Sequence, residues 1–298
     1  MKGVVVKSVG DLYNVKINNS IIRCNYRGKN KLNNKFSNPI VSGDKVEIKL
    51  LDDKSGIIEK VIERKNYFIK KSLKDKKAHI IGANLDQILI ISSIKNPYTK
   101  LSFIDKCLAA SIYYNIKPIL VFNKIDLLGN EETLKLEKIY SIYNGAGIET
   151  CNISAESKIN INELLKKLLN KKTLIIGNSG VGKSTLINTL SPSSNQKTGD
   201  LSSKTGKGRQ TTTFSETFEI NKNSYIIDSP GFKDFYFFDI KRNDLKFLYP
   251  EFILLNDKCK FNNCLHQNEP KCFIKNVIGK EVSNKRYNNY LSILNELE

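Results

Sequence analysis

TLIIGNSGVGKSTLINTL, residues 173–190, runs from an apolar strand pattern through a glycine-rich turn into a helix-like segment. The turn GNSGVGKS (Gly177–Ser184) satisfies G-x-x-x-x-G-K-[ST], and its place between a strand and a helix marks a phosphate-binding loop. Gly177, Gly180 and Gly182 would let backbone N–H groups turn inward on phosphates. Lys183 would neutralise β/γ charge, and Ser184 would coordinate Mg²⁺ at the helix N-terminus. Asn178, Ser179, Val181 and Thr185 complete the expected cradle.

A second nucleotide motif lies upstream. NKID (Asn123–Asp126) follows the apolar strand PILVF. Asp126 can accept from the ring N–H and the exocyclic amine of guanine, which adenine does not offer in that arrangement. The stem of Lys124 can cover the base, Ile125 lies between them, and Asn123 can tie this loop to the phosphate loop. The next strand ends in SAE (Ser154, Ala155, Glu156), where a backbone amide can meet guanine O6. DSPG (Asp228–Gly231) follows the strand YII. Asp228 would hold Mg²⁺ through water, and the Gly231 amide would sense the γ-phosphate. Upstream of it, residues 191–213 are rich in Gly, Ser, Thr and Lys; one of Thr211, Thr212 or Thr213 should close on Mg²⁺ and γ-phosphate, with Thr212 favoured.

All five elements of a guanine-nucleotide site are present, but in the order base, base, phosphate, first switch, second switch. The set is rotated, which a P-loop sheet tolerates if its old termini lie close enough to be joined. The residue after Gly231 is Phe232, which cannot position water as a glutamine would, and Gln210 is the nearest polar substitute.

The chain holds 298 residues, enough for two or three domains. Five strand patterns in the first 72 residues (VVVKSV, LYNVKI, IIRCNY, KVEIKL, GIIEKVIE) suit a small barrel of the OB type. Residues 1–77 carry 19 Lys/Arg against 8 Asp/Glu, the larger part of the net charge of +18. A polyanion-binding face accounts for that concentration better than uniform lysine richness. From 87 to 228, strands QILIISS, KPILVF, ETCNIS, TLIIG and SYIID alternate with helical patterns, implying a mostly parallel sheet covered on both sides. One helix would bury Leu101, Ile104, Leu108 and Ile112. A second would gather Leu164, Leu165, Leu168 and Leu169 behind Asn162 as cap. The final stretch would line one helical face with Tyr287, Leu291, Leu294 and Leu297.

Cys259-x4-Cys264-x-His266-x5-Cys272 supplies three thiols and an imidazole, a set suited to a closed structural Zn²⁺ site. Cys24, Cys107 and Cys151 read as buried thiols, and His79 as a surface or linker residue. No apolar run approaches the ~18 residues that cross a bilayer, and the start MKGVVVKSVGDLYNV lacks a cleavage site, so a cytoplasmic chain is expected.

These residues together resemble the ribosome small subunit-dependent GTPase A family (RsgA, also called YjeQ). The likeness runs through Arg27-Gly28, GDKVE (43–47), ANLDQ (83–87), NKID, SAE, GNSGVGKST, GRQTTT, DSPGF and C-x4-C-x-H-x2-EP-x-C. It implies a multidomain α/β chain. Residues 1–72 would form an OB-type barrel, 73–236 a circularly permuted P-loop GTPase domain, and 237–298 a zinc-binding helical domain. It also implies GTP hydrolysis to GDP stimulated by the small (30S) ribosomal subunit, and rRNA contact through the barrel and zinc domain. The role would be in late maturation, by a monomer engaging neither membrane nor DNA. The family usually carries histidine in the GRHTT stretch, where this chain has Gln210. Glutamine cannot exchange a charge near neutral pH, which bears on the rate and not on GTP binding. An rRNA-binding scaffold, holding GTP as a switch ligand with negligible turnover, is the alternative that Phe232 leaves standing.

Overall fold

A computed structural model describes residues 1–26, 36–71, 77–191, 215–229, 231–232 and 235–297. Arg27, Gly28, Gln210, Thr211, Thr212 and Thr213 fall outside the described residues.

β1 (Lys2–Val9), β2 (Leu12–Ile17), β3 (Ser20–Tyr26), β4 (Lys45–Leu50) and β5 (Ser55–Val61) close in the order β1-β2-β3-β5-β4-β1, with only β3 and β5 parallel. Period-two alternation drives the closure: β3 buries Ile22 and Cys24 and exposes Ile21, Arg23 and Asn25. Val5, Tyr13, Val15, Val46, Ile48 and Ile58 fill the interior with them. This is the five-stranded Greek-key barrel that the strand spacing predicts.

Two further strands, β6 (Tyr67–Lys70) and β7 (His79–Ala83), form an antiparallel ribbon leaving the barrel. The sequence reading passed over both, because their apolar runs are short and carry no turn signal of hairpin length between them. His79 is exposed on β7 and meets Ser37 and Asn38. The ribbon presses on the barrel at Gly43 (φ +95°), where an added Cβ would lie 2.1 Å from the Ala83 carbonyl oxygen. Only glycine permits that approach. Beside it, buried Asp44 takes a two-pronged bond from Arg64 at 2.7 Å to each oxygen and the Val41 N–H at 2.9 Å.

The central sheet follows: β8 (Gln87–Ser92), β9 (Lys117–Phe122), β10 (Glu149–Asn152), β11 (Lys172–Gly177), β12 (Glu216–Asn221) and β13 (Ser224–Asp228). Its order is β10-β9-β8-β11-β13-β12, parallel except for the edge strand β12, which the sequence reading also missed. Every residue of β8 is buried, as expected of a strand covered on both faces. One face is covered by α1 (Leu101–Tyr113) and α2 (Asn130–Gly145), packing Ile104, Leu108, Leu136 and Ile139 on Ile88 and Ile90. The other takes α3 (Ile161–Leu168) and α4 (Lys183–Leu190), packing Leu164, Leu168, Leu186 and Ile187 on Leu89 and Ile91. The three residues between α3 and β11 are the joint of the rotated order, and their brevity shows that the ancestral ends need little chain to connect.

β12 also pairs with β1 at Glu216 and Lys7, whose side chains form an ion pair at 2.8 Å. The barrel therefore continues the edge of the central sheet.

The remainder is helical: a 3₁₀ segment (Arg242–Leu248), α5 (Pro250–Asn256), α6 (Phe273–Asn276) and α7 (Asn284–Glu296), which Ser283 caps. Here and in α3 the structure corrects several details. Asn160, not Asn162, precedes the first turn of α3, and its side chain bonds the Asn152 carbonyl instead of capping. Leu169 is exposed because the helix has already ended. On α7 the buried face is Arg286, Tyr287, Tyr290, Ile293 and Leu294, while Leu291 and Leu297 are only partly buried. The face is turned by Arg286, a residue that hydrophobic periodicity assigns to solvent. Cys151 is half-buried, unlike Cys24 and Cys107.

Candidate functional site

β9, β10, β11 and β13 run parallel, so the loops following them share one edge of the sheet, where ligands of open α/β sheets bind. β11 ends in Gly177 and runs into NSGVGKS, the loop after β9 carries NKID, that after β10 SAE, and β13 ends in Asp228.

Asn123 joins three of them. Buried, its Nδ2 donates to the Val181 carbonyl at 2.9 Å, and its Oδ1 accepts the Ala155 N–H at 2.9 Å. A Cβ on Gly182 (φ +93°) would lie 2.3 Å from that Nδ2, so the close approach requires glycine. The NKID, SAE and GNSGVGKS loops are thus held together at one edge of the sheet. Lys124 has left-handed backbone (φ +67°) and sends its ammonium to the Asn96 carbonyl at 2.5 Å. That conformation opens the 3₁₀ turn Ile125–Leu127, on which Asp126 is exposed. In the SAE loop, Ser154 Oγ accepts the Ser157 N–H at 2.9 Å, and Glu156 is exposed.

In the phosphate loop, Gly177, Gly180 and Gly182 all have positive φ. Lys183 begins α4, and its buried ammonium donates to the carbonyls of Gly177 and Asn178 at 3.0 and 2.9 Å. Burial pushes its pKa down to about 8, with Asp228 opposing and Lys70 assisting. A polyphosphate arriving here would remove the penalty that burial imposes on the charge. Ser179, Ser184 and Thr185 are half-buried around the mouth, Val181 faces the core, and Asp228 is buried.

The second switch is tied to the first turn of the phosphate loop, since the Phe232 N–H donates to the Gly177 carbonyl at 3.2 Å. A Cβ on Gly231 would stand 3.4 Å from Lys183 Nζ and 3.5 Å from the Ser179 backbone, placing that glycine beside the GNSGVGKS loop. The Phe232 ring is buried against Phe103 and Phe235. Its ring packs this segment against Phe103 of α1.

The four side chains of the cysteine–histidine motif also converge. Cys259, Cys264, His266 and Cys272 are buried, and their ligating atoms all lie within 4.8 Å of one another. His266 Nδ1 stands 3.4 Å from Cys272 Sγ and 3.7 Å from Cys259 Sγ. Burial pushes His266 down to about 4, leaving the neutral imidazole that ligates metal, and pushes Cys264 and Cys272 up. A divalent metal bound there would supply the positive charge against which these thiols ionise. The donor set and spacing fit a tetrahedral metal ion. Around it, Glu269 accepts the N–H groups of Leu265 and Gln267, while Tyr287 and Tyr290 of α7 donate to the carbonyls of His266 and Leu265 at 2.7 Å each.

Sequence reasoning did not find the polar cluster behind this unit. Buried Arg286 of α7 donates from Nε and Nη2 to Glu251 of α5 at 2.7 and 2.9 Å, and from Nη1 to Asp105 of α1 at 2.6 Å. Asn289 supplies Asp105 with a further bond at 2.6 Å. Positions 181 residues apart carry no joint signal in sequence.

Base loop, phosphate loop and second-switch aspartate at one edge of a parallel sheet define a P-loop GTPase, and their chain order a circularly permuted one. The chain belongs to the RsgA GTPase family: the family model for the RsgA GTPase matches residues 61–238, and that for the RsgA N-terminal domain residues 2–58. It is similar to the small ribosomal subunit biogenesis GTPase RsgA of Christiangramia forsetii, with 38% identity over 99% of this chain and 96% of the relative. The protein of the same name from Flavobacterium johnsoniae is 41% identical over 99% of this chain and 93% of its own length. Among solved structures, YjeQ from Thermotoga maritima superposes with a TM-score of 0.78 at 31% identity, covering 99% of this chain and 98% of that one. YloQ, a circularly permuted GTPase, gives 0.75 at 25%, covering 99% and 94%. Among the described residues no helix is long and apolar enough to cross a membrane.

Proposed function

We propose that this chain hydrolyses GTP on the small ribosomal subunit late in its assembly. The observation that supports the reading is the Asn123 bridge, which ties the NKID loop to the phosphate-loop residue Val181 and to Ala155 of the SAE loop. The relatives' shared name, small ribosomal subunit biogenesis GTPase, supplies the partner.

Asp126 reads the guanine edge, Lys124 covers its face, and the Ser154–Glu156 loop meets O6. Residues Gly177 to Thr185 hold the phosphates. Ser184 and Asp228 would hold Mg²⁺, which would supply neutralisation of phosphate charge. Thr212 and Gln210 belong to the stretch outside the described residues and are assigned here from sequence, as the first-switch threonine and the water-orienting side chain. Residues 1–72 and 237–298 serve as the rRNA-contacting units of a cytoplasmic monomer, and residues 73–236 as the motor. The basic excess over residues 1–77 supports the first of these contacts.

Phosphate release measured with GTP and ATP, without and with small subunits, tests the reading. Turnover of GTP but not ATP, accelerated at least about tenfold by subunits, is expected. A GTP rate that subunits leave unchanged would favour a scaffold that keeps GTP as a switch ligand.

The cysteine–histidine cluster is proposed to hold one structural Zn²⁺. Metal analysis is expected to find one zinc per chain, and a chelator or Cys264→Ser to lower the melting temperature, with zinc restoring the chelated protein. Purified protein free of transition metal and indifferent to chelator would remove zinc from the account.

A further inference from the structure

Resting on the proposed subunit-stimulated GTP hydrolysis, we infer that a groove on the outer face of the barrel takes an RNA phosphate by drawing Lys7 away from Glu216. Through that exchange the barrel reports bound RNA to Asp228 of the nucleotide site.

One row of backbone-paired positions runs from barrel to sheet. Arg23 of β3 stands opposite Asn14 of β2, Asn14 opposite Lys7 of β1, Lys7 opposite Glu216 of β12, and Glu216 opposite Asp228 of β13. Asp228 is level with Ile175 of β11, two residues before Gly177 of the phosphate loop. Directly opposed residues project from the same face of a sheet, so a charge at one position acts on the next. The row is basic on the barrel and acidic on the sheet, and the sign changes at the Lys7–Glu216 ion pair, 2.8 Å long. Among the described residues, these two form the one register pair between β1 and β12. The seam has two further ties, Lys16 to Glu219 at 2.5 Å and Ser42 Oγ donating to the Ser215 carbonyl at 3.0 Å. It therefore survives the departure of Lys7.

Lys7 also lines a groove of about 240 Å³ with Val9, Leu12, Tyr13, Asn14 and Arg23. Arg23 is exposed, and Leu12 and Val9 present apolar surface to water. Two cations beside an amide and an apolar wall suit a sugar-phosphate backbone. The 19 Lys/Arg against 8 Asp/Glu over residues 1–77 match the dense charge of a nucleic acid. The Lys7 and Glu216 side chains are 38% and 37% exposed, and an ion pair so open to water adds little stability. A phosphate displaces it, because binding also releases counterions from the RNA. With Lys7 on the phosphate, Glu216 keeps its charge and loses its neutralising partner one strand away from Asp228. RNA binding and the Lys7–Glu216 contact are thus reciprocally linked.

The test titrates full-length protein with a labelled single-stranded oligouridylate across a salt series, with polyglutamate as the acidic-protein control. It compares wild type, Lys7→Ala, Arg23→Ala, Glu216→Gln and the Lys7→Ala/Glu216→Gln double variant, and measures their single-turnover GTP hydrolysis without and with small subunits. We expect Lys7→Ala and Arg23→Ala each to weaken RNA binding about 3- to 10-fold and to lower the salt slope by about 0.7. Glu216→Gln should tighten binding about 2- to 5-fold, and this gain should vanish in the Lys7→Ala background. The same Glu216→Gln protein should lose about fivefold or more of the subunit stimulation despite its tighter RNA binding. An equal gain with and without Lys7, no gain, undiminished stimulation, or polyglutamate bound as tightly as RNA overturns the inference. Wild-type turnover accelerated by subunits would then still support the GTPase. A wild type that neither binds the RNA nor responds to subunits defeats both.

Discussion

An Asp126→Asn substitution is expected to cut affinity for GTP about 10²- to 10³-fold and to make xanthosine triphosphate the better ligand. The carboxylate can accept two N–H donors of guanine, each charge-assisted bond contributing about 1.5–3 kcal/mol. An asparagine can accept only through its oxygen, and its amide points a donor at the guanine amine. In xanthine that amine is replaced by a carbonyl, so the asparagine amide finds an acceptor and the pairing is restored. Asp126 is exposed on its 3₁₀ turn, which frees the substitution from core packing, so stability should change by less than about 0.5 kcal/mol. Competition binding with the two triphosphates reads the switch directly. Unchanged preference for GTP would mean that another group reads the base.

Arg286→Met should destabilise the chain by about 3–5 kcal/mol, the usual cost of removing one member of a buried ion cluster. Arg286 is 2% exposed in its side chain, with Asp105 at 0% and Glu251 at 5%, so no water can replace the lost guanidinium. Burial opposes the charge of Arg286, yet Asp105 and Glu251 hold its pKa above the ordinary value; burial pushes Asp105 up in spite of that partner. The guanidinium is also packed 4.5 Å over the Tyr249 ring. Because the cluster joins α1 to α5 and α7, the loss should appear first as separation of the metal-binding unit from the GTPase sheet. Denaturant unfolding should show an early transition in the variant, and limited proteolysis should cut between the two. A single transition with unchanged midpoint would show that apolar packing of α7 on α1 suffices.

Asp126 belongs to a loop whose chemistry is fixed by the ligand, and a tetrapeptide carries it. Arg286 belongs to an interface, and nothing near it in the chain announces its role. The same contrast explains which elements were legible. β9 and β13 match the expected KPILVF and SYIID because continuous apolar runs suit only strands buried on both faces. β6, β7 and β12 went unread: short ribbon and edge strands owe their pairing to neighbours far along the chain, and tertiary contacts override weak local preference.

By itself the sequence determined the rotated nucleotide motifs, the cysteine–histidine donor set and the five barrel strands. Glycine placement, ligand chemistry and two-residue periodicity act over a few neighbouring positions. Tertiary structure decided the rest: that Asn123 links the base and phosphate loops, that Phe232 points inward, and that Arg286 is buried between two carboxylates. Each depends on side chains brought together from distant segments and stripped of water, and desolvation is a property of the assembled core that no local stretch of residues encodes.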